Sequence, residues 1–140
     1  TEKGQCTMAT KYASGAYLIL SANGTSGDDK TWEMFVSDRN WAGIQEGLDS
    51  LIDVHFPGTR QASQKLLMQG HRTSHADGLA ARFADDSDFS TFLSNGFATG
   101  THVAFSFNGD LMGAFSLQDA GAAFFDLQNC YEQKVMRPGA

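Results

Sequence analysis

The chain has 140 residues, of which 41% are hydrophobic and 11 are Phe, so its length and apolar content suit a single globular domain over residues 1–140. Its ten Lys and Arg residues are scattered among sixteen Asp and Glu, for a formal net charge of −6. Nucleic-acid binders usually carry a clustered basic face, so the composition argues against a nucleic-acid partner. The longest apolar run, residues 16–20, is far shorter than the roughly 18 residues that a membrane span needs.

The first half of the chain is predicted to form β-strands. An apolar run at residues 16–22 precedes a Gly- and Asp-rich stretch at 23–29, and residues 30–38 then alternate apolar and polar side chains. This alternation is typical of a half-buried strand, so the three stretches predict a hairpin with a long loop. Residues 39–51 are ambiguous, because three apolar residues have helical spacing while two glycines weaken a helix.

The middle of the chain predicts two more strands and a loop. Residues 51–56 and 64–70 have the composition of strands, whereas the polar stretch 71–78 is typical of a loop. Residues 79–84 fit a strand or a helical turn equally well.

A short helix is predicted within residues 85–96, with its body near 86–95. Ser87 or Asp86 is expected to cap its start, and Gly96 is expected to end it, since glycine is favoured at helix C-termini. The apolar stripe of this helix consists of Phe89, Phe92 and Leu93.

The clearest local signal is a hairpin at residues 102–117. The Asn-Gly pair at 108–109 lies between two apolar runs and favours a type I′ turn, in which both central residues have positive φ. A C-terminal helix follows near 117–131, and Ser116 with Asp119 resembles a capping box at its start. Its apolar stripe is Ala120, Ala123, Phe124 and Leu127, continued by Cys130 or Tyr131.

These elements together predict an α+β fold, in which a mostly antiparallel sheet, curled or sandwiched, carries helices on one side. The two cysteines, Cys6 and Cys130, lie near opposite ends of the chain, which favours a single disulfide; two buried free thiols are the alternative. A disulfide indicates a periplasmic or secreted protein. The start at Thr1 rather than Met agrees with removal of a signal peptide, although a tag scar would look the same.

A histidine cluster is the main candidate for chemistry. His71 and His75, with Asp77 two residues later, are residue types that bind zinc or another divalent metal. The stretch lacks the Glu that a zincin carries beside its first histidine, and the alternative is that these histidines lie solvated in a loop. No cofactor is therefore expected, with a divalent metal as the alternative.

A further pattern, at residues 103–130 and near the N-terminus, consists of Ser116, Leu117, Ala122, Ala123, Leu127 and Cys130, preceded by Cys6. This combination of a final strand, a short helix and a closing cysteine resembles the C-terminal end of small exported proteins of alphaproteobacteria. Part of that group is related to the invasion-associated locus B family. The resemblance implies an exported, β-rich, disulfide-bonded domain, and it brings no catalytic residues with it.

We therefore expect an exported, non-enzymatic protein of the bacterial envelope that acts by protein–protein contact, as an accessory factor, inhibitor or immunity protein. Its partner would be another envelope or secreted protein, and the acidic composition suits a basic one. The alternatives are a small metal-dependent or hydrolytic enzyme built on the histidine cluster, and a carrier of a small apolar ligand between sheet and helix. The candidate partner-binding residues are Trp41, Arg39, Asp28 and Asp29.

Overall fold

The computed structural model describes residues 4–12, 14–25, 28–41, 44–72, 77–118 and 120–130. Within them the chain forms eight β-strands and two α-helices. The elements are β1 (Gly4–Lys11), β2 (Tyr17–Thr25), β3 (Asp28–Asp38), β4 (Asp49–His55), β5 (Gln64–Arg72), β6 (Asp77–Ala84), α1 (Asp88–Thr99), β7 (His102–Phe107), β8 (Asp110–Ser116) and α2 (Ala120–Cys130).

The described strands form one sheet in the order β1-β2-β3-β6-β5-β4-β7-β8, and each neighbouring pair runs antiparallel. The sheet curls until its edges approach: the hydroxyl of Tyr12, just after β1, donates a hydrogen bond to the carbonyl of Ser116 at the end of β8 (2.8 Å). The architecture agrees with the predicted antiparallel curled sheet with helices. It is more β-rich than the α+β prediction implied, and the described strands form a single sheet rather than a sandwich.

One face of the sheet, the core face, is buried beneath the two helices. Because alternate residues of a strand point to the same side, Trp32, Met34 and Val36 of β3 are all buried on this face. Aromatic rings join the layers. Between ring centroids, Phe56 and Phe92 are 5.1 Å apart, Phe97 and Phe124 are 4.6 Å apart, and Trp32 and Phe124 are 6.2 Å apart.

The predicted hairpin of the first half is present, but its connection is shorter than expected. β2 continues to Thr25 and β3 begins at Asp28, so the long loop predicted at 23–29 is wrong. Asn23 pairs with β1 on one side and with β3 on the other. Hydrogen bonding to two neighbours extends the strand through residues whose local preference is for turns. The edge strand β1 was not predicted.

Residues 39–51 contain no helix among their described positions. β4 begins at Asp49, and turns precede it. The N–H of Gly70 donates to the carbonyl of Leu48 (3.0 Å), and the carbonyl of Gly70 accepts from the N–H of Gly47 (2.9 Å). Backbone pairing with β5 therefore overrides the helical spacing of the apolar residues.

The predicted strands at 51–56 and 64–70 are confirmed as β4 and β5. The loop predicted at 71–78 is shorter than expected, since β5 ends at Arg72 and β6 begins at Asp77. Residues 79–84, which fit both a strand and a helical turn, form a strand within β6.

Helix α1 begins as predicted and extends beyond its expected end. The hydroxyl of Ser87 accepts a hydrogen bond from the N–H of Ser90 (3.2 Å), which makes it the N-cap. The helix continues through Gly96 to Thr99, so the predicted end at Gly96 is wrong. Gly96 is buried against Phe56, and a Cβ added there would lie less than 3.0 Å from the ring. Close packing, rather than helix termination, accounts for this glycine.

The C-terminal hairpin and helix are confirmed. The turn at 108–109 has φ values of +52° and +85°, the positive values that a type I′ turn requires. Helix α2 lies within the predicted span 117–131. At its start, the hydroxyl of Ser116 accepts a hydrogen bond from the N–H of Gln118 (3.2 Å). Asp119, the other member of the predicted capping box, lies outside the described residues.

A disulfide between Cys6 and Cys130 joins β1 to the end of α2, as predicted. Cys6 is buried on the core face, and α2 packs against β1. The bond therefore links the last described helix to an edge strand of the sheet.

Candidate functional site

The sheet has a second face, the outer face, which neither helix covers. In β5 the side chains of Leu66 and Met68 are buried on the core face, whereas those of Lys65, Leu67 and Gln69 are exposed on the outer face. The same alternation places outward-pointing residues on β2, β3, β4 and β6.

A cleft of about 470 Å³ runs across the outer face from β2 to β4. Strand register gives the cleft an apolar centre, because Ile19, Phe35 and Ala80 are neighbours across β2, β3 and β6. Leu67 follows diagonally on β5. Polar and charged side chains surround that centre, so the cleft has an apolar middle and a hydrophilic border. These are Ser21, Glu33, Asp49, Gln69, His71 and Arg82.

Strand register brings the central ring of the cleft into place. Phe35 lies directly opposite Ile19 on β2 and Ala80 on β6. A Cβ added at Gly78 would lie less than 3.0 Å from the Phe35 ring, so the glycine leaves room for this ring against β6. His71 lies opposite Gly78, and its ring meets Phe35 edge-on with centroids 6.5 Å apart.

Three ionisable groups at the border, Glu33, His71 and Arg82, have partners among the described residues. Arg82 forms an ion pair with Glu33 across β3 and β6. His71 Nδ1 lies 3.3 Å from Glu46 Oε2, while the other oxygen of Glu46 accepts a hydrogen bond from the backbone N–H of Arg72 (3.0 Å). These groups are largely exposed, so the pairs contribute little to stability; what they do is orient the side chains around the cleft.

Leu51 extends the apolar surface beyond the cleft. Leu51 of β4 and Leu67 of β5 are directly opposite each other, and they are 54% and 55% exposed. Single exposed apolar residues are ordinary on protein surfaces, whereas adjacent ones beside a cleft mark a candidate interaction site.

The predicted metal site is only partly within the described residues. His71 lies on the outer face, whereas Asp77 pairs with Arg72 in the strand register and lies 3.8 Å from its guanidinium. Since Arg72 follows His71 directly in β5, the side chains of His71 and Asp77 point to opposite faces. His75 lies outside the described residues, and the described part of the chain contains no cluster of three or more potential ligands. The metal site thus stays a prediction.

The residues predicted to bind a partner lie in different environments. The indole N–H of Trp41 donates to the carbonyl of Met112 (2.9 Å), and its ring lies edge-on to Phe115, so Trp41 is half-buried and holds its segment against β8. Arg39 is exposed. Asp28 and Asp29 are the first residues of β3, and their side chains lie outside the described part of the structure.

Sequence reasoning missed the outer-face cleft. Phe35 shares its side of β3 with Thr31, Glu33 and Ser37, so it is a large apolar residue at a position where the alternation expects a polar one. Leu67 breaks the alternation of β5 in the same way. An apolar residue on the polar side of a half-buried strand is the signal that identifies this surface.

No protein-family model, curated protein or solved structure matches the chain. Among the described residues, neither helix has the length and hydropathy that crossing a membrane requires.

Proposed function

We propose that this protein is a non-enzymatic binding protein that recognises another protein through the outer face of its sheet. The observation that carries the proposal is the composition of the cleft, in which an apolar centre is surrounded by charged and polar side chains. Protein interfaces have the same arrangement, with a buried apolar core inside a polar rim.

The charge of the chain indicates the chemistry of the partner. The net charge is −6, and Asp49 at the border of the cleft forms no ion pair within the described residues. A partner with a basic surface would be attracted over a distance, and its apolar side chain would fill the centre beside Phe35.

We further infer that the partner is an envelope or secreted protein, which this chain assists, inhibits or neutralises. The disulfide supports export, since such bonds persist in oxidising compartments. The similarity of the C-terminal segment to small exported alphaproteobacterial proteins, including relatives of the invasion-associated locus B family, points the same way.

The test begins with affinity capture from the envelope fraction of the source cells, followed by calorimetric titration of the captured partner. We expect Leu67→Glu to weaken binding about 10-fold or more, because it places a charge at the apolar centre. Leu111→Glu is the matched control, because Leu111 is 66% exposed on β8 and does not line the cleft. The affinity of this variant for the partner should stay within about twofold of the wild-type value.

The association rate should also fall as ionic strength rises, since added salt screens attraction between opposite charges. A captured partner that binds Leu67→Glu as tightly as wild type would contradict the outer-face site. An equal loss in Leu111→Glu would do so as well, and failure to capture any partner would argue against the binding function itself.

A further inference from the structure

A second cavity, of about 200 Å³, lies on the core face where β4 begins and β7 ends. Its floor consists of Ile52, Gly70 and Leu79, which belong to three neighbouring strands. Ile52 and Leu79 are buried core residues, so the cavity reaches into the apolar interior from one end of the curled sheet. It is separate from the outer-face cleft and is lined by none of the same residues.

The segment from Ile44 to Leu48 forms one wall of the cavity. Its position is set by the backbone hydrogen bonds between Gly70 and residues 47–48. A Cβ at Gly70 would lie less than 3.0 Å from the Gln45 carbonyl and from the Ile44 side chain. The glycine therefore allows the segment to lie directly on β5.

The opposite wall is formed by Phe107 and Met112, close to the turn of the β7–β8 hairpin. The hydrogen bond from Trp41 to the Met112 carbonyl holds this strand in place. The cavity thus has a floor and two walls that are anchored by hydrogen bonds, which is the preformed geometry of a small-molecule site.

The lining is suited to an apolar molecule with one polar group. Leu48 and Phe107, at the mouth, remain 51% and 41% exposed. The rest of the lining consists mainly of aliphatic side chains and the Met112 thioether, and Gln45 is a polar member of the wall. Ser50 also lines the cavity, and its hydroxyl makes no hydrogen bond within the described residues. A bound molecule would cover the apolar mouth and pair with this hydroxyl.

We propose that this cavity binds a compact, mainly apolar small molecule about the size of indole, oriented by one hydrogen bond to Ser50. The size follows from the volume: a dry apolar cavity of about 150 Å³ accommodates benzene, so about 200 Å³ accommodates a somewhat larger ring system. This site is additional to the protein-binding outer face.

The test is a titration of the whole protein with indole, in which NMR measures the change in amide chemical shifts at each indole concentration. We expect saturable shifts at Gly47, Leu48, Gly70 and Phe107, with a dissociation constant on the order of 1 mM or tighter. Ser50→Phe should abolish the shifts, because the added ring fills the cavity. Ser50→Ala should keep binding but weaken it about 2- to 10-fold, since it removes only the hydrogen bond.

Circular dichroism and urea unfolding check that Ser50→Phe is folded; if it is not, Phe107→Ala, which removes one wall, should weaken binding several-fold. Absence of saturable shifts with wild type would overturn the proposal. Shifts that persist in a folded Ser50→Phe variant, or an unchanged affinity in Phe107→Ala, would also overturn it. Leu67→Glu should bind indole like wild type, so failure of the outer-face proposal and failure of this one are distinguishable.

Discussion

At the scale of single residues, Gly96 illustrates how a neighbouring ring determines the choice of amino acid. Glycine is unfavourable inside a helix by about 1 kcal/mol relative to alanine, yet Gly96 lies well within α1. Phe56, the ring it faces, is fully buried and is held edge-on by Phe92 and Phe97, with centroids 5.1 and 6.1 Å away.

We expect Gly96→Ala to lower the free energy of unfolding by about 1–3 kcal/mol, because the Phe56 ring has no room to withdraw and the overpacking outweighs the gain in helix propensity. Urea unfolding measures the effect. The control is Asn95→Ala, an exposed neighbour in the same helix, which should be neutral or slightly stabilising. A gain in stability for Gly96→Ala would show that the ring can move aside.

At the scale of elements, the β7–β8 hairpin depends on its two-residue turn. Gly109 has a φ of +85° and open space around its missing Cβ, so a substitution there changes backbone strain without creating a clash. Asn108, at +52°, occupies the left-handed region that asparagine tolerates.

Gly109→Ala should therefore lower the free energy of unfolding by about 1–2 kcal/mol, the usual cost of a left-handed conformation for an L-residue. Asn108→Gly should change stability by less than about 1 kcal/mol, since glycine adopts the same φ freely. Both are measured by chemical denaturation. Equal losses in the two variants would mean that the Asn108 side chain, rather than the backbone, stabilises the turn.

At the scale of the whole molecule, the disulfide links residues that are 124 positions apart in the sequence. It holds α2 against β1, which is an edge strand with only one neighbouring strand, β2, in the described sheet. Because it closes so long a loop, the bond restricts the unfolded chain strongly, with an upper contribution of about 5 kcal/mol in the chain-entropy description.

We expect the double variant Cys6→Ser, Cys130→Ser to lose about 2–5 kcal/mol of unfolding free energy in urea. Wild type with reductant should match this variant, and the variant itself should not respond to reductant. Mass spectrometry of native protein should show no free thiols. Two free thiols would contradict both the disulfide and the inference of export.

Much of the local structure was predictable because its causes are local. The period of two in β3, the Asn-Gly turn and the Ser87 cap each depend on residues within a few positions of one another. The exceptions, β1 and the short β2–β3 connection, depend on pairing between strands. The role of Gly96 was also not predictable from local sequence, because the ring that requires a glycine there belongs to Phe56, which is distant in sequence.

The candidate sites were less predictable than the fold. His71 and Asp77 are close in sequence, but their side chains point to opposite faces of the sheet. The register pairs Asp77 with Arg72, the residue after His71, and successive residues of a strand point to opposite faces. Phe35 and Leu67 lie on strands that are far apart in sequence, and the β6 strand between them brings them to one cleft.

The sequence by itself determined most strands, the start of α1, the turn at 108–109 and the acidic charge, and it favoured the pairing of the two cysteines. These follow from periodicity, turn chemistry and composition, which act over short distances or over the chain as a whole. The tertiary structure alone decided the strand order, the outer-face cleft and the cavity beside Ser50. Each of these depends on which distant strands become neighbours, and that is determined by the burial of one common core.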